Sequence, residues 1–197
     1  MSVAGLVLAA GAGTRYGGPK ALVPFEGELL VERAARLLAE GGCDPVLVVL
    51  GAQADRVQAA ARLAAVVLAD DWATGMGASL RAGLTALAGP AHARVGACVV
   101  ALADQPRVGP EAVGRLRAAW QAGAVAAVAT YGGQARNPVL LDRSTWPAVA
   151  SLAQGDAGAR AWLRAHPGEV TEVPCDGTGS PADVDTREDL ASLLRTP

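Results

Sequence analysis

The residues best placed to do chemistry open the chain. Leu8-Ala9-Ala10-Gly11-Ala12-Gly13-Thr14-Arg15-Tyr16-Gly17-Gly18-Pro19-Lys20 is a run of small residues ending in charge. Small residues let successive backbone N–H groups close on a polyphosphate with no Cβ in the way. Arg15 and Lys20 supply the positive charge to hold and polarise it. Of seventeen basic residues in the chain, sixteen are Arg, and Lys20 is the single Lys. An ammonium on a flexible stem meets a phosphate as a point charge, whereas a guanidinium is a planar fork. A lone lysine at the end of such a loop points to a task that arginine does not do; a chance surface lysine is the bland alternative. Gly11, Gly13 and Gly17 by themselves would also suit a dinucleotide fold. Thr14-Arg15 and Pro19-Lys20 favour a nucleoside triphosphate, and the missing GK[ST] ending excludes a Walker A loop.

Carboxylates follow at two later points. Asp104 stands directly after an apolar run, in Ala103-Asp104-Gln105-Pro106. There it is suited to hold Mg²⁺, a hard cation that takes one or two carboxylates plus phosphate oxygens. A turn or helix-cap Asp is the alternative. In Ser180–Leu190, Asp183 and Asp185 fall in a loop before the last helix. Thr186 or Asp185 would cap that helix, and Glu188-Asp189 suit its positive N-terminus. Capping explains one carboxylate, not two, and the second metal ligand is expected here, with Asp185 favoured over Asp183. Between these points, Asp70–Gly83 is a glycine-broken loop entering a helix, suited to a base or ribose through Ser79 and backbone groups, or to a plain strand-to-helix connection.

Other chemistries find little support. His92 and His166 lie in turns with no triad partner. Cys43, Cys98 and Cys175 are scattered, with neither a CxxC pattern nor a disulfide framework. A net charge of −2 argues against a nucleic-acid surface. The N-terminal apolar run lacks a basic flank and stops at Gly11, and no stretch approaches the roughly 20 apolar residues of a membrane helix. A soluble, cytoplasmic protein with no nucleic-acid or membrane partner is expected.

Something must position these residues. Apolar runs at Val3–Ala9, Pro45–Leu50, Ala65–Leu68, Gly96–Ala103 and Ala124–Thr130 read as strands buried on both faces. Helical spacing falls between them at Leu29–Glu40, Gln53–Arg62, Gly77–Ala88 and Pro110–Gln121. The alternation predicts an α/β fold of three layers, a mostly parallel sheet with helices on both faces. The last third is less clear: a strand at Asn137–Leu141, helices at Thr145–Leu152 and Ala157–Ala165, an edge strand at Glu169–Val173 and a closing helix at Asp185–Leu194. With 51% apolar residues and no linker or repeat, residues 1–197 read as one domain. Ligands of such sheets bind outside the carboxyl ends of the strands, where the loops at Leu8–Lys20 and Asp104 fall.

LAAGAGTRYGGPK resembles the nucleotide-binding signature of the MobA-like nucleotidyltransferases. The likeness continues in order through GMGASLRAG, ADQP, RNPVLL at Arg136–Leu141, GDAGAR at Gly155–Arg160 and DVDTREDL. LAAG, where the guanylyltransferase branch has LAGG, is similar to the molybdenum cofactor cytidylyltransferases, as are GMGASLRAG and GDAGAR. The resemblance implies a Rossmann-like nucleotidyltransferase fold and transfer of CMP from CTP to molybdopterin, with a molybdoenzyme client downstream. By position it implies that Leu8, Ala9, Ala10, Gly11, Ala12, Gly13 and Thr14 wrap the nucleotide, and that Arg15 and Lys20 contact its phosphates. Asp104 and Asp185 would hold Mg²⁺, and Ser79 and Gly83 would touch the nucleoside. Asp71 would also face the nucleotide, although some relatives carry an Asn in that stretch. Some members of the group carry oxidoreductase names linked to nicotine pigment breakdown. Transfer of another nucleotide, an NAD(P)-dependent reductase and a non-catalytic binder are the rival readings.

Overall fold

The computed structural model describes residues 1–195. Its frame is a seven-stranded sheet. The strands are β1 (Ser2–Leu8), β4 (Val46–Leu50), β5 (Val66–Leu68), β6 (Val95–Leu102), β7 (Ala126–Tyr131), β8 (Gln134–Asp142) and β9 (Val170–Pro174), in the spatial order β5-β4-β1-β6-β8-β7-β9. Every pairing is parallel except those of β8, which runs antiparallel to both β6 and β7.

Strand periodicity puts alternate side chains of β1 on opposite faces. Val3 and Val7 join one core with Val31, Leu38, Val48, Val99 and Leu116. Ala4, Leu6 and Leu8 join the other with Leu47, Val49, Leu80, Leu84 and Trp146. Burial on both sides explains why the central strands read as unbroken apolar runs. Helices α1 (Leu30–Glu40), α2 (Ala54–Ala60) and α4 (Pro110–Gln121) feed the first core; α3 (Met76–Ala88), α5 (Trp146–Leu152) and α6 (Arg160–Ala165) feed the second. Three layers and a mostly parallel sheet are therefore as the sequence predicts. No helix among the described residues is long and apolar enough to cross a membrane.

Two features lie outside the predicted pattern. Between the glycine loop and α1 sit a 3₁₀ turn (Lys20–Leu22) and a hairpin of two-residue strands, β2 (Pro24–Phe25) and β3 (Glu28–Leu29). Strands that short give no period to read. The hairpin packs on the last helix, α7 (Arg187–Arg195), through a small third cluster of Val23, Phe25, Leu30 and Val184, joined by Leu190 and Leu193. In addition, β8 begins at Gln134, ahead of the predicted Asn137; its first three residues, Gln134, Ala135 and Arg136, are exposed and pair with β7 alone, so they show no apolar run.

Candidate active site

The glycine loop leaves β1 still tied to the sheet. The Ala9 N–H donates to Val49 O, and Ala10 O accepts from Ala52 N, at 3.0 and 2.9 Å. The loop then folds on itself: Gly13 O accepts from the N–H groups of Tyr16, Gly17 and Gly18 at 3.0, 2.9 and 3.1 Å. Gly13 has φ +62°, and a Cβ there would lie 1.9 Å from Gly18 O, so the turn demands glycine. Within it, the backbone N–H groups from Gly11 to Arg15 have no protein acceptor among the described residues. A run of unpaired donors on a glycine loop is a cradle for an anion.

Lys20 follows, and three distant segments meet at its tip. Its Nζ donates to Asp104 Oδ2 at 2.8 Å and to Asp185 Oδ1 at 2.5 Å. Arg15 Nη1 lies 2.9 Å from Asp185 Oδ2. Asp104 Oδ1 is buried and has no hydrogen-bond partner among the described residues. Burial alone would lower the Lys20 pKa, but the hydrogen bonds and charges of Asp104 and Asp185 raise it above its ordinary value. The Lys20 hydrogen bond and charge, with Arg15 beside it, hold the Asp185 carboxyl below its usual range despite some desolvation. Asp183 goes the other way: desolvation and the negative charges of Asp104 and Asp185 raise its carboxyl, against a hydrogen bond from Gln105.

The two carboxylate loops are laced together. Val184 N donates to Asp104 O at 2.8 Å, Ser180 N to Arg107 O at 2.8 Å, and the buried Gln105 donates from Nε2 to Pro181 O at 3.0 Å. Capping of α7 falls to Thr186: Asp189 Oδ2 accepts from Thr186 N and Oγ1, and Asp189 N donates back to Thr186 Oγ1. That reciprocal pattern satisfies the helix start without the Asp185 carboxylate, which is thereby available to the site.

These residues floor a cleft of about 1070 Å³. Leu8, Ala9, Ala10, Gly11, Ala12, Gly13, Thr14, Arg15, Lys20, Asp104 and Asp185 all line it, as does Ser79 in the first turns of α3. Two expected contacts lie elsewhere. Gly83 faces the sheet, where a Cβ would come within 2.5 Å of Leu6 Cδ1, so its smallness lets α3 close on β1. Asp71 is drawn to Arg81, with Oδ2 and Nη2 2.7 Å apart, and is not among the residues lining the cleft. The neighbouring Trp72 and Met76 do line it. The lining also includes Arg136 and Asn137 of β8, Asp156, and Arg160 and Arg164 of α6. Arg160 and Arg164 have no hydrogen-bond or ion-pair partner among the described residues. Sequence reasoning passed over them because arginines four apart on a helix read as a solvated face.

No thiol or imidazole competes for the role of nucleophile. All three cysteines are buried, and burial pushes the Cys43 thiol up to about 12. His166 stacks on Trp162 with ring centroids 4.4 Å apart and is not a lining residue.

The MobA-like NTP transferase domain matches residues 5–170. The chain belongs to that family. This family member is 42% identical to the nicotine blue oxidoreductase of Paenarthrobacter nicotinovorans, over 98% of its own length and 96% of that protein. It also superposes on the crystal structure of Rv0371c from Mycobacterium tuberculosis H37Rv with a TM-score of 0.83, at 32% identity over 98% of both chains. A second structure of that protein, a complex with manganese, gives a TM-score of 0.82 at 31% identity over 100% of both. Family and fold are those of nucleotidyltransferases.

A divalent cation suits the residues of this MobA-like site. Asp104 keeps a buried carboxylate oxygen with no partner, and Asp104 and Asp185 both contact one ammonium. No cluster of three or more His, Cys, Asp or Glu forms a protein cage among the described residues. Two carboxylates completed by phosphate oxygens and water is how Mg²⁺ is usually held.

Proposed function

We propose that this protein is a Mg²⁺-dependent nucleotidyltransferase that moves a nucleoside monophosphate, CMP by preference, from its triphosphate to an anionic acceptor of the molybdopterin kind. The observation that carries the reading is the meeting of Lys20, Asp104 and Asp185 beneath a loop whose backbone donors are unpaired. The unpaired N–H groups from Gly11 to Arg15 hold the phosphates, and Arg15 and Lys20 neutralise their charge. Asp104 and Asp185 would hold Mg²⁺, which when bound draws charge from the phosphate oxygens. The acceptor oxygen forms its bond to the α-phosphorus as the bond to pyrophosphate breaks in line. Such chemistry is mainly positioning and charge neutralisation and needs no covalent nucleophile, consistent with the buried cysteines. The unpartnered Arg160 and Arg164, with Arg136, offer the acceptor's anionic group a place in the same cleft.

The nucleotide and acceptor are tested together by measuring pyrophosphate release from each of the four triphosphates, with and without molybdopterin. CTP with molybdopterin should be fastest; equal rates with GTP would overturn the cytidylyl preference, and no release under any condition would overturn transfer.

The name of the Paenarthrobacter relative favours a second reading, a reductase with the glycine loop as a dinucleotide site. In a dinucleotide fold the glycine turn runs directly into a helix whose N-terminus meets the pyrophosphate, and an acid tips the second strand. Here a 3₁₀ turn and a hairpin separate Gly13 from α1, and β4 ends in Leu50-Gly51-Ala52. NADPH fluorescence quenching or energy transfer on adding the protein would revive the reductase.

A further inference from the structure

Asp104 and Asp185 bring four carboxylate oxygens to the cleft, and three of these are already taken by cations. Lys20 holds Asp104 Oδ2 and Asp185 Oδ1, and Arg15 holds Asp185 Oδ2. Of these four, Asp104 Oδ1 is buried with no hydrogen-bond partner among the described residues. A divalent cation that bridges the two carboxylates therefore competes with Lys20 and Arg15 for Asp185. Those same two side chains end the loop that cradles the phosphates. A triphosphate in the cradle offers them new counter-charges and draws them off the carboxylates.

The geometry points to an exchange: Lys20, assisted by Arg15, is a resident counter-cation that competes with the metal for Asp104 and Asp185, so that metal and triphosphate each promote the other's binding. The inference rests on the metal-and-nucleotide reading above. Its physical basis is the exclusion of like charges. An ammonium and a divalent ion cannot both sit against the same two carboxylates without strong repulsion, which counter-charges on a nearby phosphate relieve. Coupling of this kind is reciprocal, since each ligand changes the other's affinity by one common factor. It would keep the site from holding stray divalent cations when no nucleotide is present.

The probe is Mn²⁺, followed by electron paramagnetic resonance on the full chain, alone and with saturating CTP, with protein-free Mn²⁺–CTP titrations subtracted. In the unaltered protein, CTP should tighten Mn²⁺ binding by about tenfold, within the usual range of such couplings. Lys20→Met should bind Mn²⁺ alone several-fold tighter than the unaltered protein does, and lose most of the CTP effect. Arg15→Met should shift affinity in the same direction by a smaller factor. With a side chain 71% exposed, Arg15 can be removed without disturbing the fold, so this variant keeps the test open if Lys20→Met does not fold. Unchanged or weaker Mn²⁺ binding in both variants, or a full CTP effect in either, overturns the exchange. Asp104→Asn serves as the separate control. If it binds Mn²⁺ as the unaltered protein does, the metal site itself is misassigned; if it abolishes binding while the cation variants show no tightening, only the exchange fails.

Discussion

Two sets of cations that line the cleft are held in opposite ways. At the glycine loop, Arg15 and Lys20 are paired with carboxylates of the same chain. Elsewhere in the lining, Arg160 and Arg164 of α6 pair with nothing among the described residues. A paired cation is already oriented and must be released before it can serve a ligand. An unpaired one waits in solvent and is ordered by the ligand itself. The first arrangement suits selection among chemically similar partners, and the second suits plain capture of an anion.

Four variants would break or sharpen that contrast. Asp104→Ala removes a carboxylate from the paired set and should lower the rate of pyrophosphate release by about 10²–10³-fold, the scale of one preorganised electrostatic contact. Full Mg²⁺-dependent turnover in that variant would sink the assignment of Asp104. The double change Arg160→Ala with Arg164→Ala strips the unpaired set. It should raise the acceptor KM by about 10- to 100-fold with the triphosphate KM unchanged, the scale of lost charged hydrogen bonds. An equal rise in both KM values would show that the two sets are not separate. Gly83→Ala tests the helix that carries Ser79. Overpacking against Leu6 should destabilise the fold by about 1–3 kcal/mol in urea unfolding, while CTP affinity holds; weaker CTP binding at unchanged stability would return Gly83 to the nucleoside. Asp71→Asn breaks an exposed ion pair with Arg81 and should change stability by less than about 1 kcal/mol, leaving nucleotide affinity alone. A tenfold loss of CTP binding would show that Asp71 reaches the ligand after all.

The same contrast explains what the sequence shows and hides. The parallel strands are legible because both faces of β1, β4 and β6 are buried, leaving apolar runs that stop where loops begin. Asp104 is legible because it stands directly after such a run, and Lys20 because it ends the glycine loop as the chain's only lysine. The hairpin of β2 and β3 is too short to carry a period. The exposed start of β8 resembles a loop because it pairs with β7 alone and shows no apolar run. Choosing between Thr186 and Asp185 as the cap of α7 needs tertiary information: Lys20, 165 residues away in sequence, draws Asp185 inward. The unpaired set is hidden for a compositional reason. In a chain with sixteen arginines, nothing in their spacing separates those that face a cleft from those that face water.

The lacing of the 180–185 loop to the Asp104 loop has a consequence in time as well as in space. During synthesis, the glycine loop and the strands β1, β4, β5 and β6 emerge well before residue 185. Until it does, Lys20 lacks one of its two carboxylates. A nascent or truncated chain can thus own a sheet and a phosphate cradle and still lack the second acid. The segment that supplies it rests on a small satellite cluster rather than on the main cores, and elements so held open locally at less than the full free energy of unfolding. Fraying of the last helix would loosen the loop that carries Asp185 while leaving the sheet intact.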